Sequence, residues 1–312
     1  MKKVYVTGSS GMVGSRFLEL IPESFGSRFL ELIPESFEVV SPEIDKLSIM
    51  DKKALDAFFE KEKPDIIVHF AAYTNVSEAE NQKGDKNGSC WKINVGGSKN
   101  LAELCKRYNS HLVHISTDYV FSGTAEDPGP YEENHLPQKD PNKLTWYGFT
   151  KAEAEREVSK ILGNDFTIVR LIYPVRAKFE GKLDYIRKPL SLFDEGKLYP
   201  MFTDQQVSIT YIDEACQVIS KIIEGSVYGV FHASTPDTTT PYELISYVIE
   251  KARGVRDAVK KSSIDEFLKT VASPVRYPKY GGLEVGETEK RLEIKFSTWR
   301  QMVDKLIDEG LS

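Results

Sequence analysis

The sequence predicts an α/β protein with a parallel, doubly wound β-sheet and a smaller α-rich second domain. Across the first half of the 312-residue chain, apolar runs of strand length alternate with segments of helical periodicity. Some runs, such as DIIVHFA at 65–71, show little alternation of polar and apolar residues, as expected for strands that helices cover on both faces. The connections between such parallel strands are expected to be right-handed.

The predicted strands are short apolar runs, and a sixth run could rejoin the sheet from the second half. They are Lys3–Thr7, Phe37–Ser41, Asp65–Ala71, 111–116, 166–171 and 228–232. Helices are expected between them, from about Gly11 to near Pro22, from Asp51 to Pro64, over 91–107 and over about 147–162. Aspartate is favoured at the N-cap of a helix, and proline ends a helix because it lacks an amide hydrogen.

The second half of the chain changes character. Residues 174–210 contain three prolines and mixed periodicity, Asp213 can cap a helix through Ile223, and two or three helical segments follow Thr240. We therefore predict a first, doubly wound domain of 1–172 plus about 207–234, and a second domain of about 173–206 plus 235–312.

Composition and charge exclude several classes of partner. The net charge is −6 and there is no block of basic residues, so extended contact with nucleic acid or an anionic membrane surface is not expected. No apolar run is long enough to cross a bilayer. Cys90, Cys105 and Cys216 lack the spacing of metal ligands, which favours structural thiols in a reducing cytoplasm and no metal site.

A glycine-rich loop follows the first predicted strand. Gly8, Gly11 and Gly14 stand at GxxGxxG spacing, which suits a tight turn, close approach of the backbone to a pyrophosphate, and close packing of helix on strand. The following helix N-terminus offers amide groups and positive potential to phosphates. Together with Ser10, Met12 and Val13, these residues predict a dinucleotide site of Rossmann type. The alternative is a glycine-rich turn without a ligand.

An acidic residue after the second strand is expected to bind the adenosine ribose. Glu43 lies 23 positions after Gly8 once one copy of a twelve-residue repeat is discounted, since 43 − 8 − 12 = 23. The cofactor is expected to be NADH or NADPH, and the lack of an arginine beside Glu43 favours NADH slightly. The alternative for Glu43 is a solvated loop glutamate.

A Tyr/Lys pair with helical spacing is the candidate catalytic group. Tyr147 and Lys151 are four residues apart and share one helix face, so the lysine charge could lower the pKa of the phenol and make it a usable acid or base. Tyr247 and Lys251 repeat the spacing, but we assign them to helix packing and a solvated lysine. Only the first pair follows a strand that ends in polar groups, where Thr117 could face the same carbonyl oxygen.

Five segments together carry a family resemblance: GSSGMVG, HFAAYTNVSEAE, STDYVFSG, YGFTK and DQQVSITYIDEA. In this order they resemble the extended short-chain dehydrogenase/reductases and, among these, most of all the dTDP-4-dehydrorhamnose reductase family. That family reduces the C4 keto group of a nucleotide-linked 6-deoxysugar with a nicotinamide cofactor. The resemblance implies the same reaction and a nucleotide-sugar substrate for this chain, and the possibility of a homodimer is left open.

The resemblance also implies roles for individual residues. Its Thr/Tyr/Lys triad corresponds to Thr117, Tyr147 and Lys151, and the two residues after the threonine, Asp118 and Tyr119, would help to hold the sugar. Further residues are Ala71, Ala72 and Thr74 beside the cofactor, Tyr173 at a position where the family has tryptophan, and Arg276, which could meet the diphosphate. For Arg276 the alternative is a solvated surface charge.

Two other functions remain open from the sequence. One is a related epimerase or dehydratase, which returns the hydride to its product. A dehydratase would need an added acid–base pair near the tyrosine; Asp118 after Thr117 could be one member of that pair, but no glutamate follows it. The other is a non-catalytic subunit, because the regulatory subunit of methionine adenosyltransferase resembles the same family. The complete Thr/Tyr/Lys set favours an enzyme.

The repeat itself is perfect: GSRFLELIPESF stands at 14–25 and again at 26–37. One continuous helix is not expected, because Pro22 would break it and twelve residues at about 100° each return the apolar face about 120° out of phase. We predict that the first copy forms the helix after the glycine loop, while the second copy, about 23–36, loops out at its far end. In the alternative register the first copy would bulge out beside the phosphates.

Overall fold

The computed structural model describes residues 2–20, 37–271 and 277–311. The predicted position of the repeat's second copy, and Arg276, therefore lie outside the described residues. Within them, the strands are β1 (Lys2–Thr7), β2 (Phe37–Val40), β3 (Ile66–His69), β4 (His111–Thr117), β5 (Phe166–Leu171), β6 (Met201–Phe202), β7 (Gly229–Ala233) and β8 (Lys261–Ser262). Strands β6 and β8 pair in a separate, two-stranded parallel sheet.

The main sheet has six strands in the order β2-β1-β3-β4-β5-β7. Val4 of β1 lies opposite Val39 of β2 on one side and Ile66 of β3 on the other, and β3 in turn pairs parallel with β4. The chain thus leaves β1 in one direction and returns to its other side at β3. Such a reversal of strand order opens a crevice at the carboxyl ends of the strands, where α/β proteins bind ligands. The predicted doubly wound parallel sheet is confirmed.

The helices in the first part of the chain lie between the strands of this sheet. They are α1 (Met12–Leu20), α2 (Lys52–Glu62), α3 (Val76–Glu80), α4 (Ser89–Trp91), α5 (Ser98–Tyr108) and α6 (Trp146–Leu162). The predicted cap of α2 is confirmed, because the Asp51 side chain accepts hydrogen bonds from the amides of Lys53 and Ala54. The single helix expected over 91–107 is instead divided by a π-helical segment, Lys92–Gly97.

The remaining helices follow β5. They are α7 (Arg187–Asp194), α8 (Ile212–Gly225), α9 (Pro241–Arg253), α10 (Ile264–Leu268), α11 (Gly286–Leu292) and α12 (Trp299–Asp308). The predicted cap of α8 is wrong: that helix begins at Ile212, so Asp213 lies in its first turn, where its negative charge still favours the helix dipole. After Thr240 the described residues form four helices rather than two or three. None of the described helices is both long and apolar enough to cross a membrane.

The chain separates into two compact units. The first consists of Met1–Val120, Leu136–Arg170 and Cys216–Phe231, and the second of Phe121–His135, Leu171–Ala215 and His232–Ser312. Segment 121–135 belongs to the second unit because its backbone pairs there: the amide of Gly129 donates to the Tyr280 carbonyl over 2.8 Å, and the amide of Tyr131 to the Gly282 carbonyl over 3.0 Å. The division into a dinucleotide domain and a substrate domain stays a prediction.

Each unit has its own apolar core. In the first unit, side chains from β1, β3 and β4 pack against side chains from α2 and α5. The residues of this core include Tyr5, Leu55, Phe59, Ile67, Leu101 and Leu112. In the second, α7, α9 and α12 meet through Leu190, Leu244, Ile249, Met302 and Leu306. Burying such side chains contributes about 1.5–3 kcal/mol each, so each unit positions its polar residues on a fixed framework.

Candidate active site

The glycine loop is shaped by close backbone contacts. Gly8 directly follows β1 and has a φ of +70°, and a Cβ atom there would lie 2.5 Å from the Ala71 nitrogen. At Gly14, in the first turn of α1, a Cβ atom would come closer than 3.0 Å to the Gly8 carbonyl oxygen. Side chains at these two positions would push the loop away from β3 or from the helix, so the glycines fit the predicted roles in turn and packing.

The apex of this loop is open. Ser10 and Gly11 are exposed, Met12 and Val13 are half-buried, and the amide of Gly11 donates to the Gly8 carbonyl over 3.1 Å. The loop leads directly into the N-terminus of α1, whose amide groups and dipole favour an anion. The described residues therefore fit the pyrophosphate of a dinucleotide, with the crevice between β1 and β3 beside it.

The segment after β3 is tied to the end of β1. The Ala71 amide donates to the Thr7 hydroxyl over 3.2 Å, and that hydroxyl also bonds His69 Nδ1 over 2.8 Å. Ala71 and Ala72 are half-buried, while Thr74 is exposed. Of the three predicted cofactor-lining residues, Ala71 thus lies against the start of the glycine loop, and the roles of Ala72 and Thr74 stay predictions.

Glu43 follows β2 at the same edge of the sheet. Its side chain is 73% exposed and pairs with Lys46 over 3.4 Å. The structure therefore shows an exposed surface ion pair at this position. Ribose binding by Glu43 stays a prediction.

The end of β4 and the start of α6 bring the two hydroxyl groups together. Thr117 is the last residue of β4, and Tyr147 lies in the first turn of α6, which Thr145 caps by accepting from the Gly148 amide over 3.0 Å. Thr117 is buried and Tyr147 is half-buried, and the Thr117 hydroxyl lies close enough to the Tyr147 phenol to lower the pKa of that phenol. Two of the three predicted catalytic residues therefore converge.

The pKa of Tyr147 departs from the sequence-based expectation. Burial raises it far above the usual value, the charge of Asp118 raises it further, and the Thr117 hydroxyl lowers it by a smaller amount. The expectation that Lys151 makes the phenol more acidic is wrong in this arrangement, because burial dominates. At neutral pH the phenol therefore keeps its proton and can donate it.

Lys151 is held against the neighbouring strand. Its ammonium donates to the Ile115 carbonyl over 2.7 Å and approaches His114 Nε2 at 3.3 Å. Burial lowers the pKa of Lys151 to about 8, and the negative charge of Glu155 opposes this shift. The third member of the predicted triad is thus a buried ammonium one helical turn beyond Tyr147, next to the β4 backbone.

The two residues after Thr117 border the same group. Asp118 is buried, accepts from the Thr117 hydroxyl over 3.0 Å, and has its pKa raised to about 7 by burial. The ring of Tyr119 packs edge-on against that of Tyr147 with centroids 5.7 Å apart. A Cβ atom at Gly148 would come closer than 3.0 Å to the Tyr119 carbonyl oxygen, so the glycine of YGFTK lets the strand end and the helix meet.

The remaining predicted substrate residue described by the structure lies in the second unit. Tyr173 has a φ of +41° and stacks on Tyr185 with ring centroids 4.1 Å apart. Its sugar-binding role stays a prediction. Among the described residues, no group of three or more His, Cys, Asp or Glu side chains is arranged to hold a metal ion, and the three described cysteines are buried and form no disulfide.

The second Tyr/Lys pair lies in the core of the second unit. Tyr247 packs against Trp299 with centroids 5.5 Å apart, its hydroxyl donates to Asp304 over 3.0 Å, and Lys251 pairs with the same carboxylate over 3.1 Å. The Lys251 side chain is 42% exposed. The assignment of this pair to helix packing and a solvated lysine is confirmed.

A Tyr247→Phe variant should therefore keep its activity. We expect a loss of about 1 kcal/mol in the free energy of unfolding, because one hydrogen bond to Asp304 disappears, and unchanged kcat and KM. Thermal melting and steady-state kinetics measure the two effects. A large loss of activity at unchanged stability would show that the wrong Tyr/Lys pair has been chosen.

Sequence reasoning missed a buried carboxylate beside the predicted site. Glu155 accepts from Ser116 on β4 and from Arg170 on β5. A signal was available, because Glu155 stands four residues after Lys151 and so lies on the same helix face. Its partners, however, come from two other strands, and their proximity could not be read from local spacing.

Comparisons with known proteins cover the whole chain. The sequence model of the family described as RmlD substrate binding domain matches residues 1–312. A dTDP-4-keto-6-deoxy-D-glucose reductase from Streptomyces niveus is 30% identical over 77% of this chain and 75% of that protein. Methionine adenosyltransferase 2 subunit beta from Rattus norvegicus is 25% identical over 97% of this chain and 89% of that protein.

A solved structure shares the fold over the same length. The dTDP-4-dehydrorhamnose reductase of Bacillus anthracis, crystallised in complex with NADP, superimposes with a TM-score of 0.81 at 25% identity, covering 99% of this chain and all of the other. The strand order and both compact units therefore fall within one architecture already seen with a bound dinucleotide.

Proposed function

We infer that this chain, which belongs to the RmlD substrate binding domain family of extended short-chain dehydrogenase/reductases, is an NAD(P)H-dependent reductase of a nucleotide-linked 4-keto-6-deoxysugar. The observation that carries this is the convergence of Thr117 and Tyr147, with the phenol protonated at neutral pH. The reductases from Streptomyces niveus and Bacillus anthracis support the same reaction.

The chain's own residues supply the acid side of the reaction. A bound reduced nicotinamide would supply the hydride to C4 of the sugar. Tyr147 would donate its proton to the alkoxide oxygen that forms there, and the Thr117 hydroxyl would hydrogen-bond the same oxygen. Because Thr117 is buried and Tyr147 is half-buried, these interactions act in surroundings less polar than water, where they are stronger.

Different residues would bind the cofactor and the sugar. The loop from Gly8 to Gly14 and the N-terminus of α1 would hold the pyrophosphate, and Ala71 and Ala72 would line the cofactor. Lys151 would orient the nicotinamide ribose from α6. Asp118 and Tyr119 would contact the sugar, while sugar binding by Tyr173 and diphosphate binding by Arg276 stay predictions.

The direct test is consumption of reduced nicotinamide. The purified chain is mixed with NADH or NADPH and a panel of dTDP-linked 4-keto-6-deoxysugars, and the fall in nicotinamide absorbance is followed. We expect turnover with at least one sugar and one nucleotide, with the reduced sugar as product. Binding of both ligands without turnover would contradict the reductase function.

The pH dependence follows from Lys151. Since burial lowers its pKa to about 8, the side chain is cationic below that pH and loses its charge as the pH rises through it. The ammonium is needed to hold the ribose hydroxyls, so kcat/KM for the nucleotide should fall above about pH 8, approaching tenfold per unit. A profile that stays flat to about pH 10 would contradict this role for Lys151.

A second candidate function is a non-catalytic subunit. It is favoured by one observation, the similarity to methionine adenosyltransferase 2 subunit beta over 97% of this chain. A pull-down with the catalytic subunit of a methionine adenosyltransferase distinguishes the two. Stable co-purification together with absent nicotinamide turnover would select the subunit.

A cytoplasmic location and a homodimeric state are also proposed. The buried thiols of Cys90, Cys105 and Cys216, which form no disulfide, suit a reducing cytoplasm. A homodimer remains a prediction, and measuring the molar mass in solution would test it.

A further inference from the structure

Glu155 is a buried carboxylate near the predicted site, and both of its oxygens accept hydrogen bonds. It lies on α6, one helical turn beyond Lys151, and its side chain is 4% exposed. Both carboxylate oxygens are used: Oε1 accepts from Ser116 Oγ over 2.5 Å and from Arg170 Nε over 3.1 Å, and Oε2 accepts from Arg170 Nη2 over 2.8 Å.

These partners come from different elements of the first unit. Ser116 directly precedes Thr117 on β4, and Arg170 stands on β5 with 3% of its side chain exposed. One carboxylate therefore joins the helix that carries Tyr147 and Lys151 to the strand that carries Thr117. A forked Arg–carboxylate pair fixes orientation as well as distance, so it holds α6 in one orientation against β5, and the hydrogen bond from Ser116 ties the same carboxylate to β4.

We propose that Glu155 is a positioning residue of the reductase, which sets the register of Tyr147 and Lys151 against Thr117 and keeps a negative charge beside the Lys151 ammonium. This inference rests on the proposed function. This positioning role is distinct from stabilisation of the fold. A buried ion pair often adds little stability compared with apolar residues of similar size.

The charge of the groups that surround Lys151 determines how strongly its ammonium is stabilised. The titratable groups facing it are His114 on β4, His69 on β3, Cys90 on α4 and Glu155 on its own helix. Burial lowers the pKa of His69 to about 3 and that of His114 well below its usual value, and it raises the pKa of the Cys90 thiol. These three groups are therefore uncharged at neutral pH, and the opposing negative charge comes from Glu155.

The first test is Glu155→Gln, compared with Glu153→Gln as a matched control. Glu153 pairs with Arg156 on the same helix, but both side chains are partly exposed and lie outside the buried cluster. For Glu155→Gln we expect kcat to fall about tenfold or more and the alkaline limb of kcat/KM for the nucleotide to move down by about half a pH unit or more. Glu153→Gln should change neither.

Glu155→Gln leaves the Arg170 guanidinium buried without its carboxylate and could unfold the chain. The second variant, Glu155→Leu with Arg170→Met, removes the pair and fills the space with apolar side chains. We expect it to melt near the unaltered protein and still show both the loss of kcat and the shifted pH limb. If this variant keeps kcat within about twofold and the limb in place, the proposal is wrong. Failure of both variants to fold would also overturn it, since the pair would then serve the fold as a whole.

A binding measurement separates this inference from the proposed function. The affinity for NADH, followed by quenching of protein fluorescence, should weaken at a lower pH in either Glu155 variant than in the unaltered chain. If the unaltered chain binds neither NADH nor NADPH, the proposed function fails. If it binds one of them and the pH dependence is the same in all variants, only the role of Glu155 fails.

Discussion

Tyr147→Phe should lower kcat by roughly 10²- to 10⁴-fold, the usual contribution of a positioned general acid. The Tyr147 side chain is half-buried, its phenol interacts with the Thr117 hydroxyl, and burial raises the pKa of that phenol, so it carries the proton that the new alcohol needs. Phenylalanine keeps the ring and its edge-on contact with Tyr119 while removing that proton. Steady-state turnover of the 4-keto sugar measures the loss.

Binding and stability are the controls for this variant. The nucleotide is held by the glycine loop and by Lys151, which the substitution leaves intact, so the Kd for NADH or NADPH should change by less than about threefold. The melting temperature should stay close to that of the unaltered protein. Turnover at the unaltered rate would show that another group supplies the proton, and Asp118, with a pKa near 7, would be the first candidate.

Gly14→Ala should weaken nucleotide binding by about ten- to a hundredfold. The added Cβ atom would come closer than 3.0 Å to the Gly8 carbonyl oxygen and would also press on Ser9. These are backbone atoms, so the clash moves the loop itself. A displaced loop loses hydrogen bonds to the pyrophosphate, each worth about 1.5–3 kcal/mol when one partner is charged, which corresponds to that loss of affinity.

Gly96→Ala is the matched control, because a Cβ atom there meets nothing within 4 Å. Fluorescence titration with NADH and NADPH compares the two variants, and thermal melting reports on folding. We expect Gly14→Ala to melt lower as well, since overpacking costs about 1–3 kcal/mol. Equal nucleotide affinity in both variants would exclude the glycine loop as the pyrophosphate site.

The choice between the two Tyr/Lys pairs shows how much of the site could be predicted. Spacing alone could not separate Tyr147/Lys151 from Tyr247/Lys251, but the order of elements could, because only the first pair follows a central strand with a polar end. In the structure Tyr147 interacts with Thr117 and Lys151 with the β4 backbone, whereas the second pair lies beside Asp304. Topology was readable from sequence since parallel strands end at a common edge.

The protonation states could not be predicted in the same way. From spacing, Lys151 was expected to make the phenol more acidic, whereas in the structure burial keeps Tyr147 protonated and lowers the pKa of the lysine itself. A pKa is set by desolvation and by all nearby charges. Those depend on residues such as Glu155 and His114, which approach from elements remote in the chain.

The sequence by itself determined the alternation of strands and helices, the parallel sheet and the place of the glycine loop. Each of these depends on periodicity and steric rules that act over a few residues. Only the tertiary structure decided that Lys151 faces the backbone of β4 and that Glu155 joins β4, β5 and α6. Contacts between distant segments depend on how the elements pack, and local patterns carry little information about that packing.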